Sequence, residues 1–397
     1  MAQVLTKIIG FFYTLFLAKS LGVESFGLYT VALAYFSIIS SISDFGFNRY
    51  LIREVAKNKL KVYELFCNIG MFRLTITSVI FGIFAISLYL FDPDKLRTSL
   101  ILLAVLAILP QSIALTLDGV FIALQKFQFS VIALLLASLA NALIGLFLIN
   151  KGFGNAGAIN ALTISQLIYG ISLFTILGFS KGLHFSRVEL SIIKKALIGG
   201  LPYSLLGILG LIYFRIDAIL LSYIKGSFET GLYGAAYRVL EVIVFIPSAL
   251  GTALFPTLSR MHDNKSQKIK EIYFKSVGIT AVISILIVLG YLTILPFIIR
   301  IFLQDYLKSL EAIRILSLAI PFMFLHMVSA SFVLSSERYL RGIILLSIIP
   351  VTFNILMNLS FIPIYGFIGA SWVTVLSDIL SFVLIFIFIK KNILKNG

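Results

Sequence analysis

The feature that most constrains this chain is the recurrence, from one end to the other, of apolar runs close to or longer than about 18 residues. Wound as a helix at about 1.5 Å per residue, such a run crosses the roughly 30 Å of hydrocarbon in a bilayer. Backbone amides in lipid find no water to bond, so a spanning chain is either a helix bundle or a closed barrel. Barrel strands alternate apolar and polar residues with a period of two. Stretches such as Ile101–Leu109 and Ile283–Leu289 do not alternate. The expected fold is therefore an all-α polytopic membrane protein of about 12 transmembrane helices. With 12% of residues charged, against about 25% in soluble domains, no stretch is long and polar enough to house a soluble catalytic domain.

The first six predicted spans are Ala2–Ala18, Leu28–Ser43, Cys67–Phe91, Ser99–Leu124, Ser130–Asn150 and Ala156–Phe179. The second six are Ala196–Ile224, Leu232–Leu258, Val277–Phe302, Leu310–Leu334, Ile343–Pro363 and Ala370–Ile389. The longer connections, Asp44–Phe66, Ser180–Lys195 and Ser259–Ser276, are polar and basic. Counted over alternate connections and the termini, 21 Lys and Arg residues fall on one side and 8 on the other. Basic residues are retained on the cytoplasmic side, so both termini are expected there, with the protein multi-pass in the cell membrane. The net charge of +15 thus reflects topology, not nucleic acid, which would call for a basic soluble domain. Met1–Gly10 lacks the charged start of a signal peptide, so the first helix is expected to be a retained anchor.

The segment after the second span is amphipathic. Phe45, Phe47, Leu51 and Val55 are expected to face lipid, leaving Arg49, Arg53 and Lys57 to reach phosphate head groups. A plain interfacial helix that fixes topology is the alternative.

The chain also repeats itself. Gly27-Leu28-Tyr29 returns as Gly231-Leu232-Tyr233 at an offset of 204. Pro110 pairs with Pro321 at 211, and Gly154-Asn-Ala-Gly-Ala158 with Gly366-Phe-Ile-Gly-Ala370 at 212. Six spans per copy return the chain to the same side, so the copies are parallel. Residues 1–195 and 196–397 are expected to form two pseudo-symmetric six-helix bundles, an arrangement transporters use for alternating access around a mid-membrane cleft.

Ionisable side chains within spans cost roughly 2.5–3.5 kcal/mol near the bilayer centre, so each requires a partner or a wet cavity. Arg215 and Asp217 share the seventh span but point about 200° apart, so they cannot simply neutralise each other. Arg238 and Glu241 have the spacing of a local pair. Gln111, Asp118 and Gln125 recur every seven residues, on one expected helix face. Arg73, His326 and Asp378 complete the set. Arginine suits phosphate because its planar fork donates two hydrogen bonds at once. The candidate substrate-binding residues are Arg215, Asp217, Arg73, Asp118, Arg49 and Arg53. The competing reading is interhelical hydrogen bonding and snorkelling, to which Asn141, Asn354 and Asn358 are assigned. His184, His262 and His326 are isolated, Cys67 is the sole cysteine, and no Walker loop or Gly-x-Ser-x-Gly occurs. No catalytic residue, metal or cofactor is therefore expected.

Leu17-Ala-Lys-Ser-Leu-Gly-Val-Glu-Ser-Phe-Gly-Leu-Tyr29, Ser43-Asp-Phe-Gly-Phe-Asn-Arg-Tyr-Leu-Ile-Arg-Glu54 and Gly231-Leu-Tyr-Gly-Ala-Ala236 resemble polysaccharide-biosynthesis flippases of the Wzx type. These sit within the superfamily of multidrug, oligosaccharidyl-lipid and polysaccharide exporters. The resemblance implies that a polyprenyl-pyrophosphate-linked oligosaccharide is turned to the outer leaflet through a cationic cavity to which Arg215 contributes. It also implies a glycan polymerase or transferase as partner. The driving force stays open between a proton or sodium ion acting on Asp118 or Asp217 and removal of product outside. A cation-coupled drug exporter and a membrane glycosyltransferase or polymerase are the alternatives. An acidic cavity would mark the first and a large outer loop the second.

Overall fold

The computed structural model describes residues 2–58, 61–181, 189–263 and 268–394. His184, and Lys59, Arg187, Lys265 and Lys395 from the orientation count, lie outside these segments. The described residues form fourteen α-helices and no strand. They are α1 (Ala2–Asp44), α2 (Phe47–Lys57), α3 (Val62–Phe91), α4 (Lys95–Leu106), α5 (Ile108–Ala123), α6 (Phe127–Asn150) and α7 (Gly154–Lys181). Then follow α8 (Leu190–Ile224), α9 (Ser227–Ile243), α10 (Phe245–Asp263), α11 (Lys268–Phe302), α12 (Ser309–Ser317), α13 (Ala319–Leu334) and α14 (Leu340–Asn392).

Among the described residues, nine helices are long and apolar enough to cross a membrane, or ten when α12 and α13, bent by 47°, count as one span. Two of them are double. α1 turns at Gly22 (φ 75°) and α14 at Gly366 (φ 57°), left-handed conformations that glycine adopts without a Cβ clash. Each limb (2–21, 23–44, 340–365 and 367–392) is about a bilayer long, which gives 12 segments of membrane length among the described residues when α4–α5, α9–α10 and α12–α13 each count as one.

All three repeat anchors mark matched backbone events. Gly22 (φ 75°, ψ 169°) and Gly226 (φ 88°, ψ −179°) take nearly the same conformation ahead of the two Gly-Leu-Tyr copies. Gly154 (φ 51°) and Gly366 (φ 57°) introduce the last span of each half. The fourth and tenth spans both break three residues before a proline, at Ala107 and at Leu318. Proline lacks the amide proton and its ring collides with the carbonyl four residues back, so Pro110 and Pro321 each sit in the first turn of a new helix segment.

The chain divides into two compact units, one holding residues up to Leu21 and Leu28–Leu211, the other Gly22–Gly27 and everything from Ile212. The boundary falls inside α8.

In the first unit, α2 overturns its expected orientation. Phe47 (1% exposed), Leu51 and Val55 (both 0%) pack with Ile69 of α3 and Leu117, Val120 and Phe121 of α5, with Phe45 partly buried beside them. They face protein, not lipid. Small residues allow it: Asn48 lies against Gly119, and Gly46 (φ 71°) rests on the backbone of Gly200. An apolar helix face has the same pattern whether lipid or protein covers it, and here glycines open a seat that interior packing fills. Gln125 also departs from expectation. α5 ends at Ala123, and Gln125 takes φ 60°, off the face shared by Gln111 and Asp118.

In the second unit, residues 23–27 cross residues 227–231. A β-carbon on Gly27 would overlap the Ser227 carbonyl oxygen, and one on Gly231 that of Val23. Phe26 sets its ring edge-on to Tyr306 at 6.0 Å. Glu229 accepts the Phe367 amide at 2.9 Å and so ties the turn of α14 to α9.

Candidate functional site

At about 100° per residue, Tyr213 and Asp217 lie on one face of α8 and Arg215 on the other. The structure gives the two faces different chemistry, both within the second unit.

On the first face Asp217, 2% exposed, accepts three hydrogen bonds: from Tyr233 of α9 and Asn358 of α14 at 2.8 Å each, and from Thr374 of α14 at 3.0 Å. The turn at Gly366 brings the two limbs of α14 together, Asn354 and Asn358 from one, Thr374, Ser377 and Asp378 from the other. Asn354 Nδ2 donates to Ser377 at 3.3 Å, and Asn358 Nδ2 to Asn354 Oδ1 at 3.0 Å. Tyr213 donates to Asp378 at 2.7 Å. No ion pair reaches Asp217 among the described residues. Its charge is held only by neutral donors, each worth roughly 1.5–3 kcal/mol toward a charged acceptor. Beside it, Asn358 Oδ1 is buried without a hydrogen-bond partner among the described residues. The neighbours of Asp217 turn N–H and O–H donors toward it, which suits a proton on the carboxylate; with the Asn358 amide turned about, its oxygen, the hydroxyls and the carboxylate become the donor set of a hard cation.

On the opposite face Arg215 pairs through Nη1 with Oε1 of Glu241, while Arg238 donates to Oε2 of the same carboxylate at 2.9 Å. The expected Arg238–Glu241 pair is present, and Arg215 joins it. These side chains are 18–19% exposed. α9 borders both faces, with Tyr233 stacked on Tyr237 at 5.4 Å and Glu241 one turn further on.

The other four candidates belong to the first unit. Arg73, 1% exposed, forms an ion pair with Asp44 at 2.7 Å and approaches Thr116 at 3.5 Å. Asp118 lies beside the Tyr169 hydroxyl of α7. Arg49 is exposed and stacks on the Tyr203 ring at 5.0 Å. Arg53, also exposed, pairs with Glu54 at 3.2 Å. Asn354 and Asn358 make the interhelical bonds assigned to them, whereas Asn141 Oδ1 is buried without a hydrogen-bond partner among the described residues. Sequence reasoning missed Tyr233 and Thr374. Tyr233 was visible only as part of a repeat anchor, and Thr374 carried no signal.

A family profile described as "Polysaccharide biosynthesis protein" matches residues 1–262. The chain belongs to that family. A second profile, MatE, matches residues 202–360. Among curated relatives, "Probable flippase AglR" of Haloferax volcanii is 26% identical over 182 residues, 43% of this chain and 37% of that protein. The "Putative O-antigen transporter" of Shigella flexneri is 28% identical over 269 residues, 64% of this chain and 63% of that protein. The chain thus matches less than two thirds of the length of either. Among solved structures, an inward-facing multidrug resistance MATE family transporter of the MOP superfamily superposes with a TM-score of 0.79 at 15% identity, covering 98% of this chain and 95% of that one. The MATE multidrug transporter DinF-BH follows at 0.69 and 19%, covering 98% and 92%. At such identities these likenesses concern the fold alone, that of an all-helical polytopic membrane protein.

Proposed function

We propose that this member of the polysaccharide biosynthesis family flips a polyprenyl-diphosphate-linked oligosaccharide from the cytoplasmic to the outer leaflet of the cell membrane, feeding surface polysaccharide or glycan assembly. Both termini are cytoplasmic in this reading. The family match over residues 1–262 carries it, and the names of the two relatives, a flippase and an O-antigen transporter, agree. No step requires catalysis: the protein moves the saccharide and diphosphate past the hydrocarbon while the tail stays in lipid.

A proton or sodium ion drives the cycle at Asp217. The carboxylate, with the Asn354 and Asn358 amides and the Thr374 hydroxyl, receives the ion. Neutralising Asp217 relieves the cost of a buried charge, so the loaded site tolerates conformations that the charged one does not. Arg215 supplies positive charge to the diphosphate.

In a strain depleted of the protein, a complete lipid-linked repeat unit accumulates on the cytoplasmic leaflet and surface polysaccharide is lost. Unchanged intermediates would refute flipping. They would favour instead a cation-coupled multidrug exporter, the reading supported by the MatE match to residues 202–360, and dye efflux against an ion gradient would then be the assay.

A further inference from the structure

The Arg215–Glu241–Arg238 triad does more than neutralise buried charge. Glu241 presents one carboxylate oxygen to each arginine, Oε1 to Arg215 and Oε2 to Arg238 at 2.9 Å. Two guanidinium groups holding the two oxygens of one anion, each through Nη1, is an arrangement a phosphate group would occupy, because its additional oxygens can also meet the remaining N–H groups of each fork. Two features set the triad apart from a completed structural ion pair. The formal charge of its three side chains is +1, and Arg215 Nε is buried with no hydrogen-bond partner among the described residues. All three side chains keep 18–19% of their surface exposed, whereas Arg73 in its pair with Asp44 keeps 2%.

We propose that Glu241 is a built-in competitor for the anionic head of the substrate: a diphosphate displaces its carboxylate from Arg215 and Arg238, and Glu241 returns to expel the product. A diphosphate brings more negative charge and more acceptor oxygens than a carboxylate, and so satisfies both forks together with Arg215 Nε. Without a competitor, two desolvated arginines would hold a diphosphate too tightly for rapid release. Binding that lowers the bound state without lowering the barrier slows turnover. The resident carboxylate keeps the guanidinium groups oriented and lowers the net affinity. Arg238 and Glu241 are thereby positioning and specificity residues for Arg215. This inference rests on the flippase reading and deepens it.

The test measures binding of farnesyl diphosphate, farnesyl monophosphate and farnesol to the full chain in lipid nanodiscs. Wild-type protein should prefer the diphosphate. Glu241→Gln should bind it about tenfold more tightly and release it more slowly, with farnesol binding unchanged. Glu241→Asp, which keeps the charge but shortens the reach, should fall between. Adding Arg215→Gln to Glu241→Gln should abolish the gain. If wild type prefers the diphosphate but Glu241→Gln and Glu241→Asp, both monodisperse, bind it no better, Glu241 is not a competitor and the inference falls alone. If no variant distinguishes diphosphate from farnesol, the substrate reading falls with it.

Discussion

Gly27 and Gly231 meet backbone to backbone, and the contact is symmetric in sequence. The offset of 204 that relates Gly27 to Gly231 also relates Val23 to Ser227, and each glycine rests on the carbonyl of the other's partner. A duplicated helix start has become a self-complementary crossing in which neither copy tolerates a β-carbon. Gly27→Ala and Gly231→Ala should each force the two backbones apart, at a cost of about 1–3 kcal/mol as for other overpacked contacts. Thermal unfolding of the purified protein should show both losses. Gly210→Ala, where a β-carbon meets nothing within 4 Å in the interior of α8, should hold or raise stability, by up to about 1 kcal/mol. Equal stability in all three would show that the crossing yields readily.

Asp217 offers a sharper prediction about coupling. Asp217→Asn keeps the size of the side chain and removes its charge, so export should be lost while the protein remains inserted. Flipping in proteoliposomes should no longer respond to an imposed proton or sodium gradient. Asn358→Ala removes one of the three donors that stabilise the charged, empty site, so it should favour the loaded one and lower the ion concentration at half-maximal flipping by a factor of roughly ten or more, given about 1.5–3 kcal/mol per charged hydrogen bond. An Asp217→Asn protein that still follows the gradient would move the coupling site elsewhere, with Asp118 the next candidate.

The parts of this molecule legible in its sequence are those set by period and punctuation. Span length follows from the apolar runs, and the repeat marked Pro110, Pro321 and Gly366, though not that the helices break before the prolines or turn at Gly22 and Gly366, where backbone chemistry acts. The opposed faces of Arg215 and Asp217 follow from helix geometry. What lay hidden depends on partners distant in sequence. Thr374 resembles any other threonine in a span until the turn at Gly366 lays it against Asp217. The apolar stripe of α2 carries no mark of whether lipid or α5 will cover it, and the decisive residue, Gly119, lies on the partner helix.

Orientation can be tested on α6 alone. Lys126 precedes it and Lys151 follows it, and the excess of basic residues assigns Lys126 to the cytoplasm and Lys151 to the outside. In a Cys67→Ser background, Lys126→Cys should react with an impermeant maleimide only after the membrane is opened, and Lys151→Cys in intact cells. The reverse pattern would invert the topology, and labelling of both from one side would mean that α6 does not cross.

Arg73 separates a substrate contact from a structural one. It is 1% exposed and its guanidinium lies 2.7 Å from Asp44, so a substrate would reach it only after the pair opened. Breaking a buried pair leaves an uncompensated charge and typically costs about 3–5 kcal/mol, whereas replacing both partners with apolar residues of similar volume is often close to neutral. Asp44→Leu, which strands the buried Arg73, should destabilise the protein by about 3–5 kcal/mol and lower its abundance, and Arg73→Met, which leaves an Asp44 that keeps 30% of its surface exposed, should cost less. The double variant should recover most of that stability and, if the pair serves the fold, most of the export. Recovery of stability without recovery of export would instead return Arg73 to the substrate path, because only a contact with the transported molecule remains missing once the fold is restored.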